Sequence, residues 1–491
     1  MRRLLGFGAA VILAPLLMGV HGVRAAPTET VLHVFHGADG ESPSGGLVRD
    51  AAGNLYGVTG RGGTINASCP TVPPVNGNAV PDGCGLVFKL SPPAPGKTAW
   101  TETILYKFSG PDGSSPSGEL IFDKAGNLYG IAATGGAGGA SACAGSATAG
   151  SFEGCGLVFE LTSPPPGKPR WTETILHHFT SGDGALPSGG LVMDGSGHLY
   201  GTTSNGGGTG AACPANKKNG VPAGCGVVFE LTPPKPGRVA WTIDVLHKFA
   251  GGADGGKPLA KLVRDSAGNL YGTTSAGGLA PASCAANPNN GVPAGCGIVF
   301  KLNAPAIGKT LWTEAVLHRF TGGPGGAAPI GPVVLDRAGN LYGTTYLGGS
   351  SPYGALGTVF ELTRPATSTT LWPLTVLHNF GDGNGPNLDG AYPYAGLLIT
   401  QSDFLIGTTS DGGNQRLGTV FKLAPPAAGR TTWSESILYS FNAEPHPNGY
   451  LPYGGVIRDV DGNLYGTTIA SAFLDHGTGK TGDGVVFKIA P

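Results

Sequence analysis

The chain ends in "GVVFKIAP" (residues 484–491), and near its start, at residues 28–35, it reads "TETVLHVF". Both are strand-like, and each lacks its complement. Between them recurs a unit of four short apolar runs, which in its first copy are "GGLVRD", "NLYGVT", "GLVFKL" and "WTETILYKF". The last copy stops at its third run, whereas "TETVLHVF" is a fourth-type run that follows no unit. An N-terminal strand completing the last sheet accounts for both facts, and radial repetition leaves only short, protected edges. The reading is therefore all-β: a seven-bladed β-propeller of four-stranded blades, closed by the N-terminal strand completing the last blade. A linear β-solenoid, the competing repeat architecture, has no use for a displaced strand.

The period itself comes from a hairpin. "DAAGNLYGVT" (50–59) returns as "DKAGNLYGIA" (123–132), "DGSGHLYGTT" (194–203), "DSAGNLYGTT" (265–274), "DRAGNLYGTT" (336–345) and "DVDGNLYGTT" (459–468), with a degenerate "TQSDFLIGTT" at 400–409. Steps between the first five are 73, 71, 71 and 71 residues. The Asp suits a turn cap and the Gly a positive φ. Phe88, Phe159, Phe229, Phe300, Phe360, Phe421 and Phe487 mark the third run, alternating with Lys or Glu as in a half-exposed strand. All six tryptophans fall in the fourth run and are expected to pack unit against unit.

Glycine (88) and proline (41) are abundant, but the fixed period argues for a turn-rich fold rather than disorder. Net charge is −1 and no basic run exists, so nothing points to nucleic acid. Residues 1–25, with Arg2-Arg3, an apolar stretch from Leu4 to about Val20, and Val23 and Ala25 at −3 and −1, have the layout of a cleaved secretory signal. Residues 26–491 are expected to form one domain, a monomer with no membrane span. The cysteines fall in pairs, one per unit: Cys69/Cys84, Cys143/Cys155, Cys213/Cys225 and Cys284/Cys296. Disulfides within each unit are the expectation, consistent with a secreted, periplasmic or cell-surface location. Zinc-type spacing is missing from these pairs.

The pattern D-x-x-GNLYGTT … G-x-VF-[EK]-L … VLH-x-F resembles the GloVer-type "choice-of-anchor" tandem-repeat proteins of bacteria, and its first two strands resemble NHL-type propeller blades. The resemblance covers nearly all of residues 26–491 and implies an exported repeat protein. It implies no catalytic residues.

Chemistry is sought where the units differ. The hairpin aspartates read as turn caps. The VLH-x-F histidines (His33, His177, His247, His318 and His378) alternate with Tyr106 and Tyr439 and read as packing residues. Tyr-to-Phe spacings of 29 to 32 residues in units 1–4 fall to 18, 15 and 22 in units 5–7, where cysteine is absent. One half of a face should thus carry tall, stapled loops and the other half should lie low. Over the low half run the unusual connectors "GDGNGPNLDGAYPYAG" (381–396) and "NAEPHPNGYLPYGG" (442–455). They place Tyr394 and Tyr453 where most other connectors carry a small residue. With Tyr353, His446, Asp475 and His476 these form the candidate ligand site, suited to a polysaccharide or a protein partner in the envelope or outside the cell. A polysaccharide hydrolase or lyase using the carboxylates and histidines of this sector is the rival, and a structural surface protein the third reading. No GxSxG, HExxH or Walker loop occurs. No cofactor is expected; "GADGES", "GPDGSS" and "SGDGAL" have a calcium-loop flavour but match no calcium motif.

Overall fold

The computed structural model describes residues 27–490 apart from 67–68, 70, 73–79, 137–142, 144–153, 166–169, 209–211, 216–221, 280, 287–291, 293, 307, 353, 368–370, 382–388, 428, 443–448 and 475–480. Among the described residues there is no α-helix, and no helix is long and apolar enough to cross a membrane. The strands form antiparallel four-stranded sheets of the propeller type, recurring in seven units along the chain. In unit 1 they are Val48–Arg49, Leu55–Thr59, Leu86–Ser91 and Thr101–Lys107, here called a, b, c and d. Strand a is two residues long in five units, but spans Ser114–Phe122 in unit 2 and Ala185–Met193 in unit 3. A parallel bridge between Glu119 and Gly190 joins the sheets of those two units.

The sheet holding Val485–Ala490 takes its fourth strand from the other end of the chain. Thr28–Val34 runs antiparallel to it, Thr28 opposite Ala490 and Val34 opposite Val485. The displaced run is therefore strand d of unit 7.

Packing explains the repeated motif. The glycine of Leu-Tyr-Gly pairs with the phenylalanine of strand c, as Gly57 does with Phe88. A Cβ on Gly57 would lie 2.6 Å from Phe88 Cζ, because the ring lies across the glycine. The phenylalanine just after strand d then meets the strand-c phenylalanine of the next unit edge-on. Phe108–Phe159, Phe179–Phe229, Phe249–Phe300, Phe320–Phe360, Phe380–Phe421 and Phe441–Phe487 all do so at 5.1–5.2 Å. Phe35 of unit 7 meets Phe88 of unit 1 in the same way, at 5.1 Å. Thr467 Oγ1 of unit 7 donates to Gly45 O of unit 1 at 3.0 Å, as Thr408 Oγ1 of unit 6 donates to Gly454 O of unit 7 at 3.1 Å.

The hairpin aspartates are turn caps. Asp50 accepts from the Asn54 N–H (2.9 Å), the Asn54 amide (2.6 Å) and the Tyr56 hydroxyl (3.0 Å). Burial opposes the charge, but these bonds outweigh it and hold the Asp50 carboxyl below its ordinary value. The tryptophans do pack between units, as in Trp100 on Tyr465 and Trp241 on Tyr129. Their position differs slightly from expectation: Trp100 directly precedes strand d rather than lying in it. The four cysteine pairs are disulfides within their units, Cys69–Cys84, Cys143–Cys155, Cys213–Cys225 and Cys284–Cys296, the chemistry of an oxidising compartment.

Candidate functional site

Each connector ends in a corner of three residues, x-Pro-y, which positions one side chain per unit. Residue x (Ser42, Ser115, Leu186, Lys257, Ala328, Tyr392 or Leu451) has φ between 51° and 60°. Such a left-handed conformation is unusual for a residue with a Cβ and needs outside support. The support is the same each time: the N–H of x donates to a carbonyl just before strand c of the preceding unit. Ser115 N reaches Cys84 O (3.0 Å), Tyr392 N reaches Leu356 O (2.7 Å) and Ser42 N reaches Asp483 O (2.8 Å). Proline fixes the next φ. Residue y is thereby delivered to a cavity of about 770 Å³ lined by residues of all seven units.

The y positions form a collar of graded character. Ser44, Ser117 and Ser188 come from units 1–3, Leu259 and Ile330 from units 4 and 5, and Tyr394 and Tyr453 from units 6 and 7. The two tyrosine rings stack face to face, centroids 4.6 Å apart and 7° from parallel. Tyr346 meets Tyr394 edge-on at 6.2 Å and lies 5.2 Å from Tyr392, so the two lining tyrosines adjoin a larger tyrosine cluster. Tyr394 is still 38% exposed. Burial, then the neighbouring Tyr453 and Tyr346 phenols, push the Tyr394 hydroxyl above its ordinary value and keep it neutral.

Charge in the cavity is confined to one pair among the described lining residues. Lys261 Nζ of unit 4 lies 2.7 Å from Glu119 Oε2 of unit 2. Each neutralises the other, leaving a wall of hydroxyls and backbone amides facing a wall of aliphatic and aromatic surface. Such a surface can stack a ring and orient hydroxyls; it brings no separated acid and base together.

Of the residues singled out in the sequence, Tyr394 and Tyr453 are brought into contact. Tyr353, His446, Asp475 and His476 lie outside the described residues. Two features were missed. The serine half of the collar was hidden because serine is the commonplace residue of the connectors. The Glu119–Lys261 pair joins residues 142 apart that share no motif. The Asp-Gly connectors are also explained: Asp39, Asp112 and Asp183 accept from the N–H three residues earlier, at 2.7, 2.7 and 2.8 Å. They are turn caps, like the hairpin aspartates.

Residues 284–491 match the family model described as the Gloeobacter/Verrucomicrobia repeat. No curated protein matches the chain. Among solved structures, it is similar to PorZ, an essential bacterial surface component of the type-IX secretion system of Porphyromonas gingivalis, at 12% identity and a TM-score of 0.42. That match covers 90% of this chain and 46% of PorZ, so the repeat chain spans less than half of that protein's length. A Thermus thermophilus protein described as a putative oxidoreductase (glucose dehydrogenase) is similar at 16% identity and a TM-score of 0.36, covering 75% of this chain and 95% of that one. A Xanthomonas campestris gluconolactonase follows at 12% identity and a TM-score of 0.31, covering 68% and 78%.

Proposed function

We propose that this chain is an exported binding module: a closed seven-bladed β-propeller that takes a saccharide segment of an envelope or extracellular polysaccharide at its axial cavity. The observation that carries the reading is the Tyr394–Tyr453 stack on one side of a cavity whose other side holds Ser44, Ser117, Ser188 and the Glu119–Lys261 pair. A pyranose has an apolar C–H face and a rim of hydroxyls, and this collar offers a partner to each. Closure is supported by Phe35–Phe88 and Thr467–Gly45, which repeat between units 7 and 1 the contacts made elsewhere. The four disulfides support export. No described observation favours a hydrolase or lyase, since the charged groups among the described lining residues are paired with each other.

The test is a thermal-shift and calorimetric screen of oxidised protein lacking residues 1–25 against neutral and acidic oligosaccharides, beside Tyr394→Ala/Tyr453→Ala. The expected result is binding by the wild type that weakens at least about tenfold in the double variant, the loss of two stacking contacts of roughly 1 kcal/mol each. Saccharide binding that survives the double variant would remove the collar from the reading. Binding only of an extracellular protein would replace the ligand class.

A further inference from the structure

We propose that two of the boundaries between units hold a divalent transition-metal ion, with zinc the best chemical fit, each on a histidine, an aspartate and a glutamate. The first site is His33 of strand d in unit 7, Asp39 of the connector that follows it, and Glu102 of strand d in unit 1. The second is the equivalent His378, Asp389 and Glu435, between units 5 and 6. In each, the imidazole nitrogen and one oxygen from each carboxylate lie within 4.8 Å of one another. His33 Nε2 to Asp39 Oδ2 is 3.3 Å and His378 Nε2 to Asp389 Oδ2 is 3.2 Å. Two tetrahedral ligands about 2.0–2.1 Å from a zinc ion stand about 3.3–3.4 Å apart, the same spacing.

A second observation points to a ligand. His33 Nε2, Glu102 Oε1, His378 Nε2 and Glu435 Oε1 are buried and make no hydrogen bond among the described residues. Leaving a buried polar atom without a partner is costly, and here two occur together at each site, aimed at one point. Other unit boundaries act as internal controls. Ile243 stands where the glutamate would be beside His177, and there His177 Nε2 makes a proper hydrogen bond to Asp183 at 3.0 Å. Tyr106 replaces the histidine beside Glu173, and its hydroxyl donates to Asp112 at 2.7 Å and to Glu173 at 3.4 Å. At these two boundaries the capping aspartate gains an ordinary hydrogen-bond partner, while Glu173 Oε1 stays without one as Glu102 Oε1 does, so the unpartnered histidine nitrogen is what sets the full sets apart. A third full set, His247, Asp254 and Glu314, is looser, with 3.7 Å between His247 Nε2 and Asp254 Oδ2, and should bind more weakly.

The ligand chemistry is consistent. One imidazole nitrogen and two carboxylate oxygens suit zinc, leave a fourth position for water, and balance its charge with two anions. The aspartates are already oriented: Asp39 Oδ1 accepts from His36 N at 2.7 Å, and Asp389 accepts from Gly381 N at 2.9 Å. An ion here would tie adjacent units at their outer edge, one of them through the N-terminal strand.

The experiment uses the oxidised chain lacking residues 1–25, stripped with chelator and then dialysed against ZnCl₂. Bound metal is quantified, melting is followed with and without ZnCl₂, and the visible spectrum is recorded with CoCl₂. The wild type should retain about two equivalents of zinc, melt several degrees higher with it, and give a strong tetrahedral cobalt band. In His33→Tyr/His378→Tyr both equivalents, the shift and the band should disappear. Tyrosine is the residue that Tyr106 and Tyr439 already supply at this place, so the variant should fold. Glu102→Gln/Glu435→Gln provides a second variant with the same expected loss. Equal zinc content in wild type and variants, or melting that depends on pH but not on ZnCl₂, would overturn the proposal.

Discussion

If the N-terminal strand locks the ring, its phenylalanine must matter as much as any other in the series. Phe35 is 1% exposed and packs edge-on against Phe88 across the boundary between units 7 and 1. Phe179, fully buried against Phe229, makes the same contact between units 2 and 3, deep in the continuous chain. Truncating a buried phenylalanine to alanine costs about 3–5 kcal/mol. Loss of an edge-on aromatic pair accounts for about 0.5–1.5 kcal/mol of that. Phe35→Ala and Phe179→Ala should therefore be equally damaging, to within about 1 kcal/mol. An open arc makes a different forecast: a terminal strand that frays exposes Phe35 before global unfolding, and its truncation then costs little. Melting temperature is a blunt readout, since about 1 kcal/mol moves a chain of 491 residues by only about 1 °C. Guanidinium midpoints, with hydrogen exchange measured on the peptides around Thr28–Val34 and Val485–Ala490, are the proper assay. A Phe35→Ala cost below about 1 kcal/mol, beside a Phe179→Ala cost above about 3, would refute closure by this strand.

Two further outcomes follow from buried ionisable groups. Lys257, the x residue of its corner, is 6% exposed, and burial lowers its ammonium from 10.5 to about 8. At neutral pH the folded chain carries this penalty, of order 3 kcal/mol at most. The unfolded chain binds more protons between pH 8 and 10.5, so stability recovers as pH rises across that window. Lys257→Met should raise the guanidinium midpoint at pH 7, and its advantage over the wild type should shrink by pH 9.5; a midpoint that falls at pH 7 would refute the assignment. Glu173 is pushed up to about 7, first by burial and then by Asp112, against the opposing bond from Tyr106. A raised carboxyl contributes stability fully below about pH 4.5 and loses it as pH climbs through 7. Glu173→Gln should therefore gain on the wild type between pH 5 and pH 8, and a constant difference across that range would refute the shift.

The repeat could be read from sequence because every unit solves one packing problem with the same residues. A glycine under a phenylalanine, as at Gly57 and Phe88, must appear in every copy, so the register between units is printed in the chain. The displaced strand was legible for the same reason, since "GVVFKI" without a neighbour is an unfinished sheet. The histidines were only half legible. Their exchange with tyrosine argued for packing, and His33 does sit edge-on to Phe35 at 4.7 Å. Yet the exchange also preserves a polar duty, because Tyr106 and His177 both engage the capping aspartate of the following connector. The glutamate that completes each set comes from the next unit, as with Tyr439 and Glu29, which lie 410 residues apart and meet at 2.7 Å. No local motif carries a contact of that span.

The same logic explains why the tyrosine pair stood out while the rest of its site did not. All seven x-Pro-y corners must meet one backbone requirement, a left-handed x held by a carbonyl of the preceding unit. Residue y meets no such requirement, because it faces a cavity rather than a core. Its identity is thus cheap to change in structural terms. Random drift at seven free positions would scatter residue types around the ring. The observed order places three serines together, then Leu259 and Ile330, then Tyr394 stacked on Tyr453, a polar arc facing an apolar one. An unsymmetrical collar on a repetitive frame suits the saccharide proposed above, which has an apolar face and a hydroxyl rim. Serine at Tyr394 and Tyr453 would make the collar nearly uniform in units 1–3 and 6–7 without touching the corners. That variant should keep its guanidinium midpoint within about 1 kcal/mol of wild type and lose the ligand. Loss of folding instead would mean that the stack is part of the frame, and the collar would no longer be evidence of a site.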